Sequence, residues 1–466
     1  MRGFWPMRRG DVNGRGCNCR FFSVRAILVL VIGLVGCGGD EADTGAGAGA
    51  GQSASATGSG RKTDGADDKA VDALIDRAAK RVQAGDAKTA VELLSQAIGN
   101  DAGNARAFVM RADIYARRKQ DANALADYSA AIRVEPKTAR WLNARGFFLF
   151  TRGKRDASLR DLDAAIALDA KYAEAYNNRG LVHVGAQEYD KAIVNFDRAI
   201  EADPKYVDAW NNRGFAHFRS GDHDKALADF DQALVCDGDF VMAYNNRALL
   251  RMANKDYRRA VADCSSAIER DGDNPRFYQL RRAAYRKLGK SKEALADGER
   301  LIWLIKFQQL SRKVAAAPQQ AKTYIERAQH LGADGRTGAA MADYQRAITA
   351  EPAKAVEAYL ARARHWIAAE KWSRALEDCN QALKAGAGHA AWSLRGEVHR
   401  GQGDWDQAIA DFTKARRFDD VVAETYARRG ELHRAAGRKA KATADLKRAA
   451  ELAPDRFGKT TEKKKP

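Results

Sequence analysis

Residues 175–180 read Ala175-Tyr176-Asn177-Asn178-Arg179-Gly180, and the motif returns as Ala209-Trp210-Asn211-Asn212-Arg213-Gly214 and as Ala243-Tyr244-Asn245-Asn246-Arg247-Ala248. Each copy begins 34 residues after the last. A motif returning at a fixed interval of this length marks one supersecondary unit, copied and stacked. Working outward, a small residue closes most copies: Ala78, Ala112, Gly146, Gly180, Gly214, Ala248, Ala328, Ala363, Gly396 and Gly430. A second column holds Ala90, Ala124, Ala192, Ala226, Ala260, Ala294, Ala340, Ala375, Ala408 and Ala442, with Ser158 in the third copy. Pro136, Pro204, Pro352 and Pro454 close four copies.

The columns make sense as two packed helices per unit. Small residues let the backbones approach, and Tyr128, Phe196, Phe230, Tyr344 and Phe412 fill the space beside them. Gly221-Asp222 and Gly403-Asp404 stop one helix and start the next. One such unit cannot bury both its faces and needs a neighbour.

The aromatic, the small residue, the Ala-x3-aromatic pair and the terminal Pro resemble the tetratricopeptide-repeat signature. The resemblance implies an all-α fold. It would be a right-handed superhelical solenoid of about eleven helix-turn-helix repeats over about residues 71–456, with a break after the seventh. One column departs from that family, which usually has Leu before the small residue. Here it is Arg, at 111, 145, 179, 213, 247, 281, 327, 362, 395 and 429. Most of these units also carry Asp before the aromatic slot, at 127, 161, 229, 263, 297, 343, 378, 411 and 445. So regular a pair of columns predicts ion pairs between packed helices, with a functional anion-binding row as the rival.

The phase slips once, between Leu301 and Ala321. Ile302, Trp303, Ile305, Phe307, Leu310 and Val314 keep helical spacing there, so the seventh second helix is expected to run on towards Ala317, where Pro318 stops it. The expected organisation is a signal peptide at 1–36, a Gly/Ala/Ser-rich tether at 37–68 and repeats one to seven at 69–308. A helical connection at 309–320, repeats eight to eleven at 321–456 and a basic tail at 457–466 complete it.

With 466 residues the chain exceeds one hydrophobic core, as a repeat array does. The net charge of +18 is spread along helices, which reads as solvated faces before it reads as attraction to an anionic partner. No CxxC pair, zinc-spaced cluster, HExxH, GxSxG or Gly-rich phosphate loop occurs, so no metal, cofactor or enzymatic activity is expected. His183, His217, His399 and His433 repeat in one column, and Cys264 and Cys379 occupy the aromatic slot. Repetition there points to packing.

Residues 26–36 form an apolar run after Arg20 and Arg25, too short to span a bilayer easily, and end in Leu34-Val35-Gly36-Cys37. This resembles the bacterial lipobox, whose cysteine is lipidated. By that resemblance Cys37 carries the lipid, and the array is a lipid-anchored membrane protein of the bacterial cell envelope, exposed outside the cytoplasm.

The resemblance also places the ligand surface, since first helices line the concave face of such arrays. Asn143, Asn177, Asn211 and Asn245 occupy one position of that face, and Asn178, Asn212 and Asn246 stand next to them. An apolar stripe of Phe147, Phe150, Leu181, Val184, Phe215, Phe218, Leu249 and Met252 borders the row. An amide offers both donors and an acceptor, which matches a peptide backbone. The repeats are similar to the helical arm of O-linked N-acetylglucosamine transferase, whose Asn row holds extended peptides; Asn178, Asn212 and Asn246 match it, while the Arg that follows does not. In later units the face turns charged, with Arg364, Glu397, Arg400, Glu431 and Arg434. Two functions are thus open: a membrane-tethered scaffold with protein or peptide partners, and a basic solenoid holding an anionic polymer such as an envelope polysaccharide or nucleic acid. The second ranks lower, because no aromatic-basic stacking motif accompanies the charge.

Overall fold

Asp222 and Asp404 each accept a hydrogen bond at the start of a helix, from the amides of Lys225 and Gln407. The glycines before them, Gly221 and Gly403, hold positive φ of 93° and 79°, a conformation that costs glycine little. This Gly-Asp turn folds one helix back on the next. The computed structural model describes residues 65–458, and every regular element among them is helical. Eleven helix pairs follow one another, from Gly65–Gln83 with Ala87–Asn100 to Asp420–Ala435 with Lys439–Leu452. The first helix of each pair is called A and the second B. The signal, lipid and tether expectations, Cys37 included, lie outside the described residues.

Within a repeat, the small-residue column is a contact surface. A methyl group on Gly180 would stand 2.5 Å from the Phe196 ring, on Gly214 2.8 Å from Phe230, and on Gly396 2.6 Å from Phe412. All three rings are fully buried. The seventh repeat, Pro275–Lys287 with Ser291–Ala316, inverts the arrangement. Arg282 stands in the small column, and Gly298 takes the aromatic slot beneath it, 3.3 Å from the Arg282 Nε by its virtual Cβ.

The Arg and Asp columns pair as expected. Arg213 donates from Nη2 to Asp229 at 2.7 Å, Arg327 from Nε to Asp343 at 2.6 Å, and Arg395 from Nε to Asp411 at 2.7 Å. The structure adds a second bond. The Nη1 of the same arginine reaches the B helix of the preceding repeat: Arg145 to Ser129, Arg213 to Asp197, Arg395 to Asn380. The guanidinium also lies over the ring three residues before it, as Arg213 does over Trp210 at 4.7 Å. One side chain therefore joins three helices, and the planar fork of arginine is what allows it.

The described residues fall in two compact units that divide between Asp271 and Gly272. In the second, the seventh B helix runs 26 residues, Ser291–Ala316, and ends just before Pro318. Its extension buries Leu304, Leu310 and Val314. Trp303 stacks on His330 at 4.7 Å and on Phe307 at 5.4 Å.

Candidate functional site

The A helices of repeats three to six are Ala139–Thr151, Ala173–Gly185, Val207–Ser220 and Val241–Ala253. They carry all the asparagines singled out above. Six of the seven are buried, and Asn245 is half-buried. Their amides bond one another across successive repeats: Asn178 Nδ2 donates to Asn143 Oδ1 at 2.8 Å, Asn212 Nδ2 to Asn177 Oδ1 at 2.9 Å, and Asn246 Nδ2 to Asn211 Oδ1 at 2.9 Å. Asn211 and Asn245 donate to their own neighbours, Asn212 and Asn246, at 3.3 and 3.4 Å. Asn143 Nδ2 reaches the Tyr172 hydroxyl at 3.3 Å. The row is thus a ladder that ties each A helix to the next. Sequence reasoning missed this mutual bonding; its signal was the doubled Asn-Asn, which gives an A helix one amide for the repeat before it and one for the repeat after.

Two ladder atoms are buried without a hydrogen bond, Asn177 Nδ2 and Asn178 Oδ1. These atoms and Asn245 hold the capacity left on that edge.

The apolar stripe is more closed than its spacing implied. Leu181 and Phe215 are buried in the packing between repeats. Phe147 and Phe150, tilted against each other at 6.3 Å, Val184, Phe218 and Met252 are half-buried, and Leu249 is 36% exposed. Each ring still offers an edge beside the ladder.

The histidine column packs against the ion-pair column. His217 lies 4.0 Å from Asp229 and His433 3.8 Å from Asp445, while His183 meets Glu188 at 2.7 Å. Burial holds the His217 pKa below its ordinary value. Arg155 and then His183 hold the Glu188 carboxyl at about 2. Cys264 and Cys379 are buried cysteines, and burial pushes the Cys379 thiol up to about 12. Such a thiol is a packing group and a poor nucleophile. Among the described residues no cluster of three His, Cys, Asp or Glu gathers that could hold a metal, and no helix is long and apolar enough to cross a membrane.

Stacked helix pairs with a small-residue seam and an interrepeat ladder define a helical-repeat protein. The tetratricopeptide-repeat family model matches residues 75–139, 149–193, 179–239, 217–275 and 393–457, more than half of the chain, which belongs to this family. Its repeats are scaffolds for protein–protein interaction. Among solved structures, the chain is similar to a tetratricopeptide-repeat protein of Parabacteroides merdae, at 22% identity over 50% of this chain and 92% of that one, with a TM-score of 0.41. It is also similar to PilW, a type IV pilus biogenesis factor, at 18% identity over 46% of this chain and 98% of that one, TM-score 0.41. Pseudomonas aeruginosa PilF matches at 18% identity over 46% and 98%, TM-score 0.40. None of the curated proteins matches.

Proposed function

We propose that the protein is a membrane-tethered scaffold of the bacterial envelope that holds an extended segment of a partner protein along the A helices of repeats three to six. The observation that carries this reading is the row of part-exposed apolar side chains, Phe147, Phe150, Val184, Phe218, Leu249 and Met252, at repeat spacing along successive A helices. Apolar edges at repeat spacing would take hydrophobic side chains of the partner, and the half-buried Asn245 amide would meet its backbone. The remaining ladder amides fix the spacing of the A helices and so set the register of the groove.

Buried ladder members make poor probes, because removing them also loosens the array. The stripe is the better test. Phe218→Ser, Leu249→Ser and Met252→Ser together should weaken capture of the partner found by pull-down with the parent protein by at least about tenfold. One lost apolar anchor is worth about 1–3 kcal/mol. A partner that binds the triple variant as tightly as the parent places the site elsewhere.

The tether rests on Leu34-Val35-Gly36-Cys37 after the apolar run. Cys37→Ala should leave an unprocessed chain that no longer partitions into detergent after expression in a bacterium. Unchanged processing and partitioning would remove the lipid anchor from the reading.

A further inference from the structure

Ten arginines form the column from the second repeat to the eleventh, and nine give Nη2 to an aspartate on their own B helix. The exception is the fourth repeat, where the aspartate position is Asn195. Arg179 donates from Nε to the Asn195 Oδ1 at 2.6 Å and from Nη1 to Asp163 of the preceding B helix at 2.7 Å. Its Nη2 makes no hydrogen bond. The next two repeats show what is missing. Arg213 has both Asp229 and Asp197, and Arg247 both Asp263 and Asp231. Arg179 has one carboxylate where they have two.

A cavity of about 330 Å³ opens at this same place, between the B helices Arg155–Leu168 and Tyr189–Ala202, with Arg179 in its lining. Leu159 and Val194 give it apolar walls, and Val194 is 59% exposed, an unusual position for so large an aliphatic side chain. Lys191 and His183 also line it. Glu188, the nearby acid, is engaged by Arg155 and His183 at 2.7 Å each, and lies 3.6 Å from the Lys191 ammonium. Asp163 is spent on Nη1. The cleft therefore combines an unfilled guanidinium edge, a second cation and two aliphatic walls.

We propose that this cleft binds a carboxylate carried on a short apolar stem. The carboxylate would take the Nη2 of Arg179 from the cleft side, supplying the charge that Asn195 lacks, with Lys191 as its second cation, and the stem would lie between Leu159 and Val194. Charge-assisted bonds to an arginine fork are the strong ones. The site is on the B-helix side, independent of the groove proposed above. A free small acid and a peptide chain terminus share this chemistry.

Asn195→Asp tests the site, because it installs the aspartate that nine repeats already tolerate. Calorimetric titration of the full chain would use hexanoate, with hexanol as the neutral control. A second arm would use the tripeptide Ala-Ala-Leu with a free or an amidated terminus. Saturable binding of hexanoate alone identifies a small-acid site, and binding of the free peptide as well identifies a chain-terminus site. Either is expected to fall at least about tenfold in Asn195→Asp, with the melting temperature unchanged or raised. The proposal is overturned if neither acid saturates the protein. Equal binding of hexanol or the amidated peptide overturns it too, as does binding by Asn195→Asp that matches the parent.

Discussion

Gly180 shows how a single atom sets the distance between two helices. A methyl group there would sit 2.5 Å from the Phe196 ring, so Gly180→Ala should cost about 1–3 kcal/mol through overpacking. Gly99 meets nothing within 4 Å, and Gly99→Ala should be neutral or stabilising by up to about 1 kcal/mol. Amide hydrogen exchange in repeats four and one reads the two effects separately. The ion-pair column makes a sharper residue-scale prediction. Asp229→Ala removes both bonds to Arg213 and should cost about 1.5–3 kcal/mol in urea unfolding. Asp229→Asn reproduces the native arrangement of Arg179 with Asn195 and should cost less than half of that. Equal losses would mean that the carboxylate charge, which both variants remove, holds the column. These columns were legible in the sequence because each Arg meets an Asp 16 positions away in every repeat that has both. The Asn ladder was not, since its bonds run between repeats, 35 positions apart. Their pairing depends on how far one repeat is turned against the next, which no single unit encodes. The reversed pair Arg282 and Gly298 was visible only as two exceptions in two columns of one repeat.

The element that breaks the phase is the B helix Ser291–Ala316. Its length was readable from apolar spacing and from Pro318, which has no amide proton to donate into a continuing helix. What it docks against was not readable. Leu304 is fully buried, so Leu304→Ala should cost about 2–5 kcal/mol. Near Trp303 four charged groups interlock: Arg336 bonds Asp273 at 2.7 Å and Asp334 at 2.9 Å, and Arg300 bonds Asp334 at 2.7 Å. Both guanidiniums lie over the Trp303 ring, at 4.3 and 4.8 Å. Arg336, above all through its hydrogen bond, holds the Asp273 carboxyl below its ordinary value near 3.8. A folded pKa that is depressed adds stability above the unfolded value and loses it as pH falls through the folded one. Melting of the second unit should therefore drop as pH falls below about 4. In Asp273→Asn this contribution to the drop should be absent, and a pH profile that overlays the parent's would show that Asp273 does not contribute.

Within each compact unit, each repeat leans on its neighbours, and the same arginines, and in the first unit the asparagines, that build one repeat fasten it to the next. Stability of such an array is a sum of local and interface terms, so substitutions are best read locally. The net charge of +18 remains after the internal pairs are set aside, because each pair removes one charge of either sign. This surplus is the observation behind the anionic-polymer reading, and ionic strength separates it from the peptide reading. Binding to phosphates releases condensed counterions, and contacts to six or more phosphates would weaken it by about 10³-fold or more between 50 and 200 mM salt. The site proposed along repeats three to six would bind through apolar edges and neutral amides, whose interactions salt does not screen. Capture of the partner through that groove should therefore change by less than about threefold over the same range. The comparison is a titration of the full chain with the captured partner and with a single-stranded DNA probe at each salt concentration. If the partner's affinity collapses in parallel with that of the DNA, the charged surface does the binding, and the row from Asn143 to Met252 serves only to hold the helices together.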